Sequence, residues 1–276
     1  MSFKSANLSN LQLRVLTGIL GGAVFIGSIW FNEWTFGALF LGLTVLGMLE
    51  FYKIIAAKGF EPNHNIGLIL GAGLYVLVFL IQKDFIAASV LFVLPPVMLL
   101  CLVAELYRKK QQPFINIALT LLAVMYVAMP FTLLILLGFP NDYYSWHIIL
   151  GTIFLIWAAD TGGYIFGRSF GRTKLFERIS PGKTWEGWLG GTLLCLGVAY
   201  LLSLFFQDLD LTAWIGIGLI VSVFGVIGDL VESMLKRSMQ IKDSGSLLPG
   251  HGGILDRFDS LLMITPFVVA FLKVFH

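Results

Sequence analysis

Nine stretches of roughly twenty mainly apolar residues, at 13–31, 35–55, 66–82, 85–106, 115–138, 147–167, 187–206, 213–235 and 258–275, fill most of this 276-residue chain. Each is about the length a helix needs to cross the hydrocarbon core of a bilayer. Lipid offers the backbone no water, so a spanning segment must satisfy its own N–H and C=O groups, and a helix does so within one segment. With 58% hydrophobic and 12% charged residues, the chain has too little polar surface to clothe a soluble domain. The expected fold class is all-α: a polytopic integral membrane protein of about nine transmembrane helices.

The 18 lysines and arginines test the number of spans. Sorted by connecting loop, one side of the membrane receives 16: Lys4 and Arg14; Lys53 and Lys58; Arg108, Lys109 and Lys110; Arg168, Arg172, Lys174, Arg178 and Lys183; Lys236, Arg237, Lys242 and Arg257. The other receives only Lys83 and Lys273. Positive loops stay on the cytoplasmic side, so the N-terminus is expected in the cytoplasm and the C-terminus outside. Residues 1–146 read as five scaffold spans, and 147–276 as four spans carrying long cytoplasmic loops. The external loops GFPNDYYSW and QDLDLT carry no cation and read as connections.

Composition also narrows what the chain can do. A net charge of +2 without an aromatic-interleaved basic patch argues against nucleic acid as a partner. Cys101 and Cys195 each lie in an apolar run without metal or redox spacing and read as small buried hydrophobes. The first apolar run is followed by Asn32-Glu33-Trp34 rather than a small-residue cleavage site, so it is expected to stay as a helix. The Arg108-Lys109-Lys110 cluster reads as a topology anchor beside anionic headgroups.

Charge gathers again where it is least expected. Asp229 sits near the cytoplasmic end of the eighth segment, and helical periodicity puts Glu232, Ser233 and Lys236 on its face. A carboxylate there needs a partner or a metal; a structural ion pair of Asp229 or Glu232 with Lys236 is the plainer alternative. Asp256 and Asp259 share one side at the start of the ninth segment, although a carboxylate at a helix N-terminus is favoured without any ligand. Asp160 lies deep in the sixth segment beside Gly163, Gly167 and Gly171, a stripe that lets another backbone approach closely. Ser180-Pro181-Gly182-Lys183-Thr184 leads into the seventh segment, where helix amides and a lysine can meet an anion. Its Gly-Lys-Thr is not a P-loop, because position 177 is Glu rather than Gly and no βαβ unit surrounds it. His251, in the turn Pro249-Gly250-His251-Gly252-Gly253, can act as a base near neutral pH or simply orient the turn. Carboxylates imply a hard cation with oxygen ligands, and the lysines and arginines around them imply a polyanion, so phosphoryl or nucleotidyl transfer is the expected chemistry.

The same residues carry a resemblance. Ser233-x-Leu235-Lys236-Arg237, Lys242-Asp243-x-Gly245, Leu248-Pro249-x-His251-Gly252-Gly253 and Asp256-Arg257-x-Asp259 together resemble the signature of phosphatidate cytidylyltransferases, also called CDP-diacylglycerol synthases, without departure from it. The SPGKTWEG segment is similar to one in the same family, so the likeness runs from Asp160 to Asp259. It implies CTP and phosphatidate as substrates, with Mg²⁺ required and room for a second cation. In that reading Asp229 and Asp256 hold the metal, and Asp229, Asp256, Lys236 and Asp259 are catalytic. Asp160, Ser180, Lys183, Thr184, Arg237, Lys242, His251 and Arg257 bind substrate. The expected location is a bacterial inner membrane with the site facing the cytoplasm, and a homodimer is compatible with it. A cation-coupled transporter is the alternative, since buried carboxylates on broken helices also build ion sites. The acidic residues cluster at one edge and lack a matching set in an inverted half, which weighs against it.

Overall fold

The computed structural model describes residues 10–140, 143–245 and 252–276. Ten α-helices carry almost all of that chain: α1 (Asn10–Phe31), α2 (Glu33–Ala56), α3 (His64–Gln82), α4 (Leu94–Arg108), α5 (Pro113–Ala123), α6 (Met129–Gly138), α7 (Trp146–Phe170), α8 (Trp185–Phe205), α9 (Leu211–Ser238) and α10 (Leu255–Phe275). A 3₁₀ segment, Ala88–Val93, leads into α4, and a π-helical turn, Val124–Ala128, joins α5 to α6. Among the described residues, eight helical stretches are long and apolar enough to cross a membrane. The expected first span is also helical, but the apolar portion described for α1, Gly18–Phe31, is shorter than that criterion.

Local chemistry sets the breaks. α1 and α2 are separated by Asn32 alone, whose side chain accepts the N–H groups of Trp34 and Thr35 at 2.9 Å each and so caps α2. Asp210 caps α9 in the same way through Ala213 N–H at 2.8 Å. Pro130 has no N–H to give the Tyr126 carbonyl and its ring crowds that carbonyl, which explains why the helix widens into a π-turn just upstream.

Packing depends on missing side chains. α7 lies so close to α8 that a Cβ on Gly191 would stand 2.6 Å from the Ala159 carbonyl, and one on Gly162 or Gly187 would stand 2.8 Å from the carbonyl of Gly190 or Gly163 respectively. The glycine-rich stretch of the sixth segment therefore faces the seventh, as close-packing small residues allow. α9 meets α10 likewise: Ser260 Oγ donates to Gly225 O at 3.1 Å, and a Cβ on Gly228 would come within 2.6 Å of Asp259 O. α10 also packs on α6 and α2, so the two halves of the chain share one core.

One element departs from the all-helical expectation. Lys174–Phe176 (β1) and Ser180–Thr184 (β2) form a two-stranded antiparallel hairpin with Lys174 opposite Thr184 and Phe176 opposite Ser180. It bridges α7 to α8 at the end of the bundle where Asp229 lies. The Glu186 carboxylate fixes its base by accepting the N–H groups of Arg172 and Thr173, each at 3.1 Å.

Candidate active site

The expected polar residues come together from three helices and the hairpin, as two adjoining ion-pair systems. In the first, Lys183 on β2 reaches across to α9 and meets Asp229 Oδ2 at 2.6 Å, while Ser233 Oγ donates to Asp229 Oδ1 at 3.2 Å. Asp160 from α7 and Asp259 from α10 lie within electrostatic range of Asp229 and Lys183. Thr184 is the N-cap of α8, its Oγ1 accepting Gly187 N–H at 3.2 Å. Gly182-Lys183-Thr184 is extended strand ending on a cap, which a P-loop is not.

In the second system Lys236 stands between two carboxylates, 2.5 Å from Glu232 Oε2 and 2.7 Å from Asp256 Oδ1. Helical spacing on α9 supplies the first contact and the N-terminal turn of α10 the second. Asp256 is fully engaged: its Oδ2 accepts Ser244 N–H at 3.0 Å, Ser244 Oγ at 2.9 Å and Gly253 N–H at 2.9 Å. Lys236 thus pairs with Glu232 and Asp256, whereas the partner of Asp229 is Lys183. Glu232 is buried at 1% exposure, and its Oε1 has no hydrogen-bond partner among the described residues.

A residue that the sequence reading passed over holds this arrangement together. Glu50 of α2, 4% exposed, accepts Ile254 N–H on Oε2 at 2.8 Å and Leu255 N–H on Oε1 at 3.1 Å, and Ser244 Oγ also donates to Oε1. It thereby caps α10 from a helix two hundred residues earlier in sequence. The adjacent glycines follow from this. Gly252 has φ +88°, a conformation that costs glycine least, and a Cβ on Gly253 would collide with the Glu50 carboxylate and the Ser244 hydroxyl. The signal was present: a carboxylate inside the apolar run LGMLEFYKIIA invites the same argument applied to Asp229.

Arg237 and Lys242 are exposed and join none of the ion pairs among the described residues. Ser180 opens β2 and pairs with Phe176. His251 falls outside the described residues. Arg257 lines a cavity of about 400 Å³ with Asp160 and Asp259, walled mainly by apolar residues of α1, α2, α7 and α10 such as Phe25, Leu39, Ile156 and Phe258. A second cavity, of about 320 Å³, is lined by Lys183, Thr184, Asp229, Gly187 and Tyr164. Asp160 belongs to the wall of both.

The oxygen donors suit a hard cation such as Mg²⁺, which takes few protein ligands and keeps waters or phosphate oxygens. Among the described residues no three His, Cys, Asp or Glu side chains already stand at metal-binding spacing. Each acidic centre sits instead on a lysine ammonium group, a positive charge where a metal or phosphate-bound cation would otherwise be needed.

Fold and site define a polytopic membrane protein with a buried, lysine-bridged acidic centre at one end of its helical bundle, beside an apolar cavity. The chain belongs to the cytidylyltransferase family, whose sequence profile matches residues 12–275. It is 34% identical over 270 residues to a phosphatidate cytidylyltransferase of Bacillus subtilis (strain 168), covering 96% of this chain and 99% of that one. A protein of the same name from Staphylococcus haemolyticus (strain JCSC1435) is 34% identical over 265 residues, covering 93% and 96%. One from Staphylococcus aureus (strain COL) is 44% identical over 160 residues, covering 57% and 60%.

Proposed function

We propose that the protein is a phosphatidate cytidylyltransferase, a nucleotidyltransferase that makes CDP-diacylglycerol and pyrophosphate from CTP and phosphatidate for phospholipid synthesis. The observation that carries the reading beyond family membership is the position of Asp160, shared by an apolar cavity and a polar, lysine-lined one. Two substrates of opposite solubility need such adjoining spaces. The apolar cavity suits the lipid and the lysine-lined one the nucleotide phosphates.

A phosphatidate phosphate oxygen attacks the α-phosphorus of CTP in line. The bond from that phosphorus to the oxygen bridging to the β-phosphate breaks, and pyrophosphate leaves with the bridging oxygen. No protein nucleophile is needed, so positioning and charge stabilisation carry the rate. Lys183 and Lys236 exchange carboxylate partners for phosphate oxygens, with Arg257, Arg237 and Lys242 at the rim, each by charge-assisted hydrogen bonds. Ser180, Thr184 and His251 complete the phosphate-binding set. Asp229 and Asp256 would hold Mg²⁺, with Asp259 and Asp160 adjacent, and the ion would neutralise charge at the transferring phosphoryl group. The site faces the cytoplasm of a bacterial inner membrane, consistent with the loop charges. Residues 1–146 act as scaffold for the catalytic 147–276, an arrangement compatible with a homodimer.

Purified protein given phosphatidate, CTP and Mg²⁺ should release pyrophosphate and form CDP-diacylglycerol, and neither should appear when phosphatidate or metal is left out. Ion-dependent flux in proteoliposomes without pyrophosphate release would overturn this reading in favour of a transporter.

A further inference from the structure

The hairpin does more than present Lys183. Leu175 and Lys183 both line the polar cavity, while Lys174 and Phe176 are exposed. Arg172 and Arg178 are exposed as well, and no ion pair among the described residues engages Arg172, Lys174 or Arg178. Glu186, the nearest carboxylate at the hairpin base, is occupied by backbone N–H groups. Against these three cations the hairpin itself offers only Glu177.

Exposed aromatic side chains flank the hairpin: Tyr164 and Phe170 on α7, Phe176 on β1 and Trp185 at the start of α8, all between 45% and 64% exposed. Aromatic rings at the ends of spanning helices settle at the headgroup level. By that argument Tyr164 and Trp185 would set the depth of the hairpin and bring its cations toward the headgroup plane.

We propose that the outer side of this hairpin is a binding surface for anionic phospholipid, through which the leaflet holds the hairpin down and anionic lipid is gathered next to the site. Charge complementarity selects the occupant: three cations without an ion-pair partner among the described residues, on a hairpin flanked by exposed aromatics, fit lipid phosphates at an interface. A soluble nucleotide needs cations without the aromatics. The gathering role rests on phosphatidate, itself anionic, being the substrate; the lipid-binding role does not.

The test uses the full chain in nanodiscs, with Arg172→Gln, Lys174→Gln and Arg178→Gln combined. None of these residues belongs to the catalytic set. Each cation adds to the attraction for an anionic surface and salt screens part of it, so the mole fraction of phosphatidate giving half-maximal rate should rise roughly tenfold. The kcat at saturating phosphatidate and the KM for CTP should stay within about twofold of the parent. An unchanged lipid requirement would overturn the proposal, and a raised KM for CTP instead would assign the cations to the nucleotide and overturn it equally. A readout independent of activity is an environment-sensitive dye on Phe176→Cys, since Cys101 and Cys195 are buried. Its emission should shift to the blue when phosphatidylglycerol is added to phosphatidylcholine discs, and this shift should vanish in the triple variant. A dye response indifferent to anionic lipid would refute the surface even in an active enzyme. The predicted response in a protein that forms no CDP-diacylglycerol would uphold the surface and sink the enzymatic reading alone.

Discussion

Glu50→Ala removes an acceptor on which three donors converge. Ile254 and Leu255, 2% and 0% exposed, would keep backbone N–H groups that no water can reach, and the Ser244 hydroxyl would lose one of its two carboxylate partners. An unsatisfied buried donor costs about 1–3 kcal/mol, so the two backbone groups alone set a loss of roughly 2–6 kcal/mol. Glu50→Gln keeps one acceptor oxygen but aims an NH₂ group at the donors on the other side, and should lose about half as much. Thermal unfolding in detergent should therefore rank parent, Gln and Ala in falling order. Turnover should fall alongside, because the Asp256 that Glu50 indirectly steadies lies one residue beyond the capped pair. Neutral, polar Gln and truncated Ala melting together with the parent would refute the view that Glu50 caps α10.

Reporter fusions at Asp208 and Lys242 should report opposite sides of the membrane; the same side for both would contradict the cation sorting of the loops. Lys236→Met leaves Glu232 and Asp256 facing each other without their shared cation, which should cost roughly 3–5 kcal/mol. Adding Glu232→Gln should recover much of that stability without recovering activity, and normal stability of the single variant would show that the triad is dispensable. On the proposal that Asp229 and Asp256 hold one metal ion, Asp229→Asn and Asp256→Asn should each abolish transfer, with the double variant little worse than either. Multiplying defects would instead mean that the two carboxylates act separately, each through its own lysine.

The helices were legible because lipid leaves the backbone few alternatives: every expected segment is helical, with ends displaced by a few residues. The hairpin was not. β1 is three residues long and β2 contains Pro181 and Gly182, so neither shows the alternation or composition of a strand. At the site, the sequence marked Asp160 and Asp229 because charge inside apolar segments needs a reason, Lys236, Asp256 and Asp259 by their place at helix ends, and Lys183 by its loop before a helix N-terminus. It could not assign partners. Lys236 lies one helical turn from Glu232, which periodicity anticipates, but the match of Lys183 with Asp229 depends on how a hairpin folds back over α9. Glu50 escaped because a single carboxylate in an otherwise unbroken apolar run was absorbed into the span.

The balance of charge at the site bears on metal dependence without recourse to relatives. Six carboxylates, Glu50, Asp160, Asp229, Glu232, Asp256 and Asp259, surround three cations, Lys183, Lys236 and Arg257. Glu50 is spent on the α10 amides, and Asp229, Glu232 and Asp256 on the two lysines, so Asp160 and Asp259 face the cavities with Arg257 as the cation beside them in the apolar one. Like charges gathered in a poorly solvated site repel more strongly than they would in water. A triphosphate and a phosphate monoester approaching such a centre would add to that repulsion, and drawing the lysines onto phosphate would strip Asp229 and Asp256 of their partners. A divalent cation resolves both difficulties at once. Chelation should therefore abolish turnover, and it should also weaken CTP binding to the Lys183→Met variant less than to the parent, since one lysine would no longer need replacing at Asp229. Binding of CTP that is equally tight with and without Mg²⁺ in the parent would refute this account of the charge balance.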